Sequence, residues 1–376
     1  MLRDKNTRWV KVGSLCKHYA YPCHNKCKSN IDFRIPIRYF GNIFFVARPR
    51  VFKSALAKSL TVRVSNFRRV IVFDYNGEWS RDVVDYNWGS QEPARIVNVQ
   101  VYKNFTFKIS TFKNPQDFIS LGFSKDSCQY LKILINDGYS YYEDDVEKFE
   151  VMLKMLPTSS NAKNDMLTAW KESFPRLDLP TLLHFGTKSN LLNHFLFIRD
   201  WFWQGKKDTR PLYDFCKEMR KDQHAIIDLS LGEEGTNTNH ARAWCGAVLR
   251  QCRGSYERIR GFFVFEESSV LAPNMYQATE DEWPSSLVEI RDMVVYFPKK
   301  FVSCLFLCQN ERQLHGEITS FYHMKCICMG EGQGEEYVIA GNGAEWNYDV
   351  NYRKVLFWEA NREWKFFHPE ISVCHS

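Results

Sequence analysis

Five short apolar runs constrain the fold of this chain more than any other feature. They are Ile43–Val46, Val70–Phe73, Ala225–Ile227, Phe262–Phe265 and Phe301-Val-Ser-Cys-Leu-Phe-Leu-Cys308. Each is too short for a buried helix and lacks the alternation of a half-exposed strand, so each reads as a strand covered on both faces. Four of the five end in acids or an amide: Asp74, Asp228, Glu266-Glu267 and Gln309. Segments of helical period separate them. The pattern predicts an α/β fold, a mainly parallel sheet with helices on both faces and its chemistry at the carboxyl edge.

The first run carries the most specific signal. After Val46 come Ala47-Arg48-Pro49-Arg50-Val51-Phe52, then Lys53-Ser54 opening an Ala/Leu-rich stretch expected to be helical to about residue 60. Strand, loop, Lys-Ser and helix form the layout of a phosphate-binding P-loop, and the spacing Ala47, four residues, Phe52, Lys53, Ser54 fits it. Both motif glycines are replaced. Glycine lets backbone N–H groups turn inward around a phosphate. A side chain at Phe52 strains that turn, and Pro49 removes one donor. Arg48 and Arg50 can offset part of the loss by pairing with phosphate oxygens. Lys53 still reaches the β- and γ-phosphates of ATP, Ser54 still holds Mg²⁺, and Ala55 completes the binding segment. The expectation is weakened nucleotide binding.

The other strand ends add to this reading. Phe262–Phe265 followed by Glu266-Glu267 has the form of a Walker B strand, in which the first acid holds Mg²⁺ through water and the second polarises the attacking water. Asp74 and Glu78, in Asp74-Tyr-Asn-Gly77-Glu78-Trp79, lie where ligands bind in such sheets; they read equally as an acidic turn. Gln309 reads as a γ-phosphate sensor or as a polar strand end. The catalytic set is therefore Lys53, Glu267 and Gln309.

The 376 residues are 44% hydrophobic and 15% aromatic, enough for a substantial core and too many for a disordered chain. The formal charge of +6 permits an anionic partner. No apolar run approaches the ~18–20 residues of a membrane span, and the first residues lack the apolar stretch of a secretory signal. The twelve cysteines are then expected to be reduced thiols in a cytoplasmic protein. The organisation reads as an N-terminal arm over 1–33, a first part of the core over 34–113, a helical insertion over 114–221, and a second part of the core with C-terminal strands over 222–376. Within 34–113, Ile96–Val101 and Phe105–Ile109 alternate as strands do. The arm holds Cys16, His18, Cys23 and Cys27, a possible zinc set by ligand count; the competing reading is a basic arm with incidental Cys and His.

In order and in motif, the chain resembles the HerA/FtsK-type P-loop ATPases. The resemblance rests on the P-loop ending in Lys53-Ser54, on Val70-Ile-Val-Phe-Asp74-Tyr-Asn-Gly77-Glu78-Trp79, on Ile226-Ile-Asp228-Leu-Ser-Leu, on Glu266-Glu267-Ser-Ser-Val-Leu-Ala-Pro273, and on Leu305-Phe-Leu-Cys308-Gln309. It spans about residues 35 to 330. It implies a RecA-like core, a hexameric ring of identical subunits, and translocation of double-stranded DNA. The chain departs from the family in its degenerate Walker A loop, in Glu266 where Asp is usual, in Cys308 for Thr, and in lacking room for an N-terminal barrel. The alternative left open is a catalytically inactive P-loop relative acting as a structural or DNA-binding subunit.

Overall fold

A computed structural model describes residues 9–16, 28–36, 41–46, 53–85, 95–159, 164–179, 181–205, 211–219, 223–231, 235–255, 259–296, 302–329, 337–338, 345–346, 354–359 and 365–369. The strands are β1 (Trp9–Cys16), β2 (Lys28–Pro36), β3 (Asn42–Val46), β4 (Val70–Asp74), β5 (Val99–Tyr102), β6 (His224–Asp228), β7 (Phe262–Phe265), β8 (Ser303–Cys308), β9 (Tyr322–Met329), β10 (Tyr337–Val338), β11 (Glu345–Trp346), β12 (Lys354–Glu359) and β13 (Lys365–Pro369). Eleven of them form one sheet in the order β2-β1-β13-β12-β9-β3-β8-β7-β4-β6-β5. From β9 to β5 every neighbouring pair is parallel. From β9 to β2 every pair is antiparallel.

The parallel half holds the five apolar runs, and burial explains why they are apolar throughout. β3, β4, β7 and β8 are buried at every position. Their side chains alternate between two cores. Ile43, Phe45, Val70, Val72, Phe262, Val264, Leu305 and Leu307 face one core with Leu56, Ala57 and Leu60 of α1 (Lys53–Ser65). Phe44, Phe73, Phe265 and Phe306 face the other. There they stack across β3, β8, β7 and β4 with centroid separations of 4.9, 5.2 and 5.1 Å. That second core is closed by α9 (Thr238–Arg253) and the helix Ser285–Tyr296.

Between β5 and β6 the chain runs through α2 (Pro115–Ser120), α3 (Lys125–Asn136), α4 (Tyr139–Tyr142), α5 (Val146–Met155), α6 (Asn164–Ser173), α7 (Phe185–Ile198) and α8 (Phe215–Glu218). Their apolar faces join the second core, so these helices extend the packed layer on that side of the sheet. Phe105–Ile109 alternates like a strand but forms only an isolated bridge, Phe107 to Phe202. Its buried residues Phe107 and Ile109 pack into the helical layer instead; Phe107 meets Trp244 edge-on at 5.4 Å. Alternation reports which side is buried, and here helices do the burying.

Candidate nucleotide site

Topology locates the site before any side chain does. From β3 the chain passes through α1 to β4, three places along the sheet. From β8 it passes through the helix Gly316–Ser320 back over β3 to β9. The two crossovers run in opposite directions on opposite faces, as right-handed connections require. A crevice therefore opens at the carboxyl ends of β3 and β8, the topological switch point where such sheets bind ligands. Val46 pairs with Cys308, so the last residue of β3 and the end of β8, which Gln309 follows, lie side by side. Gln309 is half-buried there.

Lys53 is the first residue of α1 and is 5% exposed. Its Nζ lies 3.8 Å from Glu267 Oε1. Glu267 is the second residue after β7 and takes a left-handed backbone, φ 42° and ψ 50°. That conformation costs a non-glycine residue about 1–2 kcal/mol, and it turns the second acid out of the strand toward α1. Ser54 is half-buried and Ala55 buried behind Lys53. Arg48 and Arg50 lie outside the described residues.

Glu266 is buried and shares a hydrogen bond with Asp74 from the neighbouring strand. Asp74 is fully buried and organises the turn after β4: Oδ1 accepts from Gly77 N at 2.9 Å and Glu78 N at 3.3 Å, and Oδ2 accepts from Trp79 N at 2.8 Å. Glu266 accepts from Asn76 N at 3.2 Å. Burial and the Glu266 carboxylate push Asp74 well above the ordinary carboxylate range, and the Trp79 N–H only partly opposes them. Asp228, level with Asp74 on β6, adds to the same push. Gly77 makes the tight turn possible. Its φ is +74°, and a Cβ there would sit 3.0 Å from Ser230 Oγ and 3.2 Å from Asp228 Oδ1. Glu78 is exposed and reaches toward α1, 3.9 Å from Lys58. Asp74 is thus a buried scaffold of the acidic turn.

Sequence reasoning missed Lys58 and Asp82. Lys58 lies on α1, is fully buried, and bonds Asp82 at 2.5 Å beneath the Asp74 turn. The signal was a lysine on the buried side of an Ala/Leu helix. Arg291 is engaged within its own chain by Asp292 at 3.0 Å, by Glu280, and by the Trp283 ring at 5.2 Å. Of the zinc set, only Cys16 belongs to a described element, the end of β1; His18, Cys23 and Cys27 lie outside the described residues. Among the described residues no group of three or more His, Cys, Asp or Glu is placed to hold a metal by itself. No described helix is long and apolar enough to cross a membrane.

No protein-family model and no curated protein sequence matches the chain. Solved structures do match. VirB4 of Thermoanaerobacter pseudethanolicus aligns with a TM-score of 0.56 and 14% identity over 96% of each chain. The plasmid coupling protein TrwB in complex with ADP and Mg²⁺ aligns at 0.54 and 9% identity, over 88% of this chain and 85% of that one. TrwB with a non-hydrolysable ATP analogue aligns at 0.54 and 11% identity over the same shares. At these identities the likeness is one of fold. It agrees with the motif resemblance: the chain has the RecA-like P-loop NTPase fold.

Proposed function

We propose that this chain, built on the fold shared with VirB4 and TrwB, is an ATP-binding motor subunit of the HerA/FtsK type that moves double-stranded DNA. The observation that carries the reading is the meeting of Lys53 and Glu267 at the β3–β8 crevice, with Glu266 and Gln309 on the flanking strand ends. The donor set fits the cofactor. Ser54 offers a hydroxyl and Glu266 a carboxylate, hard oxygen donors of the kind Mg²⁺ takes alongside nucleotide phosphates. Lys53 exchanges its Glu267 partner for the β/γ-phosphates; Glu267, released, orients a water; Gln309 contacts the γ-phosphate side. Arg48 and Arg50 pair with phosphate oxygens in place of part of the backbone N–H cradle that glycines would allow, so binding is expected to be weakened rather than lost. The bound state of Mg-ATP supplies the phosphoryl group whose transfer to water drives movement. The DNA substrate and an assembly into a hexameric ring rest on the motif resemblance and on TrwB being a bacterial conjugative coupling protein.

The test is calorimetric titration of Mg-ATP into the wild-type protein and the Lys53→Ala variant, followed by phosphate release with and without duplex DNA. Binding that Lys53→Ala abolishes, with release stimulated by DNA, is the expected result. No binding at millimolar ATP overturns the reading. Binding without turnover identifies the inactive relative instead. Zinc at Cys16, His18, Cys23 and Cys27 is a separate proposal, settled by metal analysis of the purified protein.

A further inference from the structure

On the far side of the acid row from the β3–β8 crevice, under the start of α9, lies a cavity of about 320 Å³. Phe105, Thr106, Asp200, Trp201, Asp228 and His240 contribute to its lining, and no lysine or arginine is among its described lining residues. Its polar groups are strongly biased toward accepting hydrogen bonds. Asp200 and Asp228 are carboxylates, and Asp228 already takes the Ser230 hydroxyl at 2.6 Å. Thr106 Oγ1 is buried without a partner. His240 Nδ1 lies 3.1 Å from the Leu229 carbonyl oxygen. A carbonyl only accepts, so Nδ1 carries the proton and Nε2 presents a lone pair. Burial pushes the His240 pKa down to about 4, which keeps the ring neutral at ordinary pH.

The walls are aromatic and held in place. His240 packs against Trp244 at a tilt of 33° with centroids 4.2 Å apart, and meets Trp201 edge-on at 5.3 Å. Trp244 in turn donates to the Phe105 carbonyl at 2.9 Å. Phe197, also part of the lining, is 70% exposed, an apolar side chain left at the opening. Two carboxylates, an acceptor imidazole and an unused hydroxyl beside aromatic faces describe a receptor for a cation rich in N–H donors. A guanidinium suits it better than an ammonium, because it is planar, weakly hydrated and stacks on aromatic rings. Among the described residues Arg199 lies 3.9 Å from Asp200, and it is shared with Glu150 at 3.2 Å.

We propose that this cavity binds a small planar organic cation of the guanidinium or amidinium class, held between Asp200 and Asp228 against Trp201. The site is separate from Lys53 and Glu267 and does not depend on nucleotide binding. A free compound and an arginine side chain carry the same head group, so two probes are used: agmatine and N-acetylarginine amide, each titrated into the full chain by calorimetry. Asp200 has an 84% exposed side chain, so Asp200→Asn is expected to fold. It should weaken the tighter probe by about tenfold, as loss of one charge-assisted pair does. Trp201→Leu should weaken it also, and putrescine, a dication like agmatine but with an ammonium in place of the planar head, should bind less well than agmatine. Tighter agmatine binding assigns a free cation, and tighter N-acetylarginine amide assigns an arginine in a peptide. Lys53→Ala should bind both probes as the wild type does, which separates this site from the nucleotide reading. No heat with either probe at millimolar concentration, or equal affinity in Asp200→Asn and Trp201→Leu, overturns the proposal.

Discussion

Lys58 carries a charge with no contact to water. It is the fourth cation of the Arg48–Lys58 segment and the only one of the described cations there that is fully enclosed. Its partner Asp82 sits 4% exposed, with a second bond from Arg81 at 3.1 Å, and the Trp79 ring lies 5.6 Å from the ammonium. Burial pushes Asp82 upward, but the bonds from Lys58 outweigh it and hold the carboxyl below its ordinary value. A folded pKa below the unfolded one gives stability that is present above the unfolded value, near 3.9, and is lost as pH falls through the folded value. Lys58→Met removes the buried ammonium that pairs with Asp82, and breaking a buried pair costs roughly 3–5 kcal/mol. Urea unfolding at pH 7 should show a loss at the low end of that range, and the variant should lose less further stability than the wild type between pH 5 and pH 3. The double variant Lys58→Met/Asp82→Leu should recover much of the loss, since a well-packed apolar pair of similar volume replaces a buried ion pair at little cost. An unchanged unfolding midpoint in Lys58→Met would show that the pair contributes nothing.

At the scale of elements, the close approach of α9 to the helix Ser285–Tyr296 depends on Gly246. A Cβ there would lie 2.8 Å from Ser285 Cβ and 2.9 Å from the Ser285 carbonyl carbon, and would overlap Ser285 Oγ. Two of these are backbone or near-backbone atoms that no rotamer change relieves. Gly246→Ala should therefore push the helices apart and destabilise the chain by about 1–3 kcal/mol, the usual cost of overpacking. Adding Ser285→Gly should restore part of the melting temperature; if it restores none, the contact is not the cause. Elements like these differ in how far the sequence reveals them. The four buried strands β3, β4, β7 and β8 were legible because a strand covered on both faces must be apolar at every position. Their acids were legible because only the carboxyl edge tolerates charge. β1 and most of β2 lie within the stretch 1–33 read as an arm, because Trp-Val-Lys-Val-Gly-Ser-Leu-Cys and Lys-Ser-Asn-Ile-Asp-Phe-Arg-Ile-Pro carry a weak alternation and β1 finds its ladder partner, β13, at the other end of the sequence. The Lys53–Glu267 contact was legible as two motifs but not as an ion pair. It arises from the left-handed turn at Glu267, which composition does not encode. Lys58 was legible only as a lysine on an Ala/Leu helix, without its partner Asp82, and the cavity under α9 was not legible, since it is assembled from residues far apart in the chain.

For the molecule as a whole, the sheet joins two kinds of ladder at β9. On one side β9 runs parallel to β3 and continues the parallel half; on the other it runs antiparallel to β12. β12 pairs with β13, β13 with β1 and β1 with β2, so the first strands of the chain reach the sheet only through its last. Apart from these ladders the N-terminal hairpin is held by α1, against which Val10 is buried. Ending the chain after Met329 removes β12 and β13 together. β1 then loses one of its two ladders, and β9 becomes an edge with unpaired N–H and C=O groups, a template for association between chains. The parallel half, from β3 to β5, loses no neighbour but β9's outer partner. The truncated protein should therefore be cut rapidly within residues 9–36 in limited proteolysis, while fragments spanning 42–308 persist as in the full chain. Light scattering should show its aggregation rising with concentration. Mg-ATP binding, if measured before aggregation sets in, should survive, because every group at the β3–β8 crevice lies on the retained side. Equal protection of residues 9–36 in the two proteins would mean that α1 alone anchors the hairpin, and loss of binding with the strands would mean that the C-terminal ladder shapes the crevice itself.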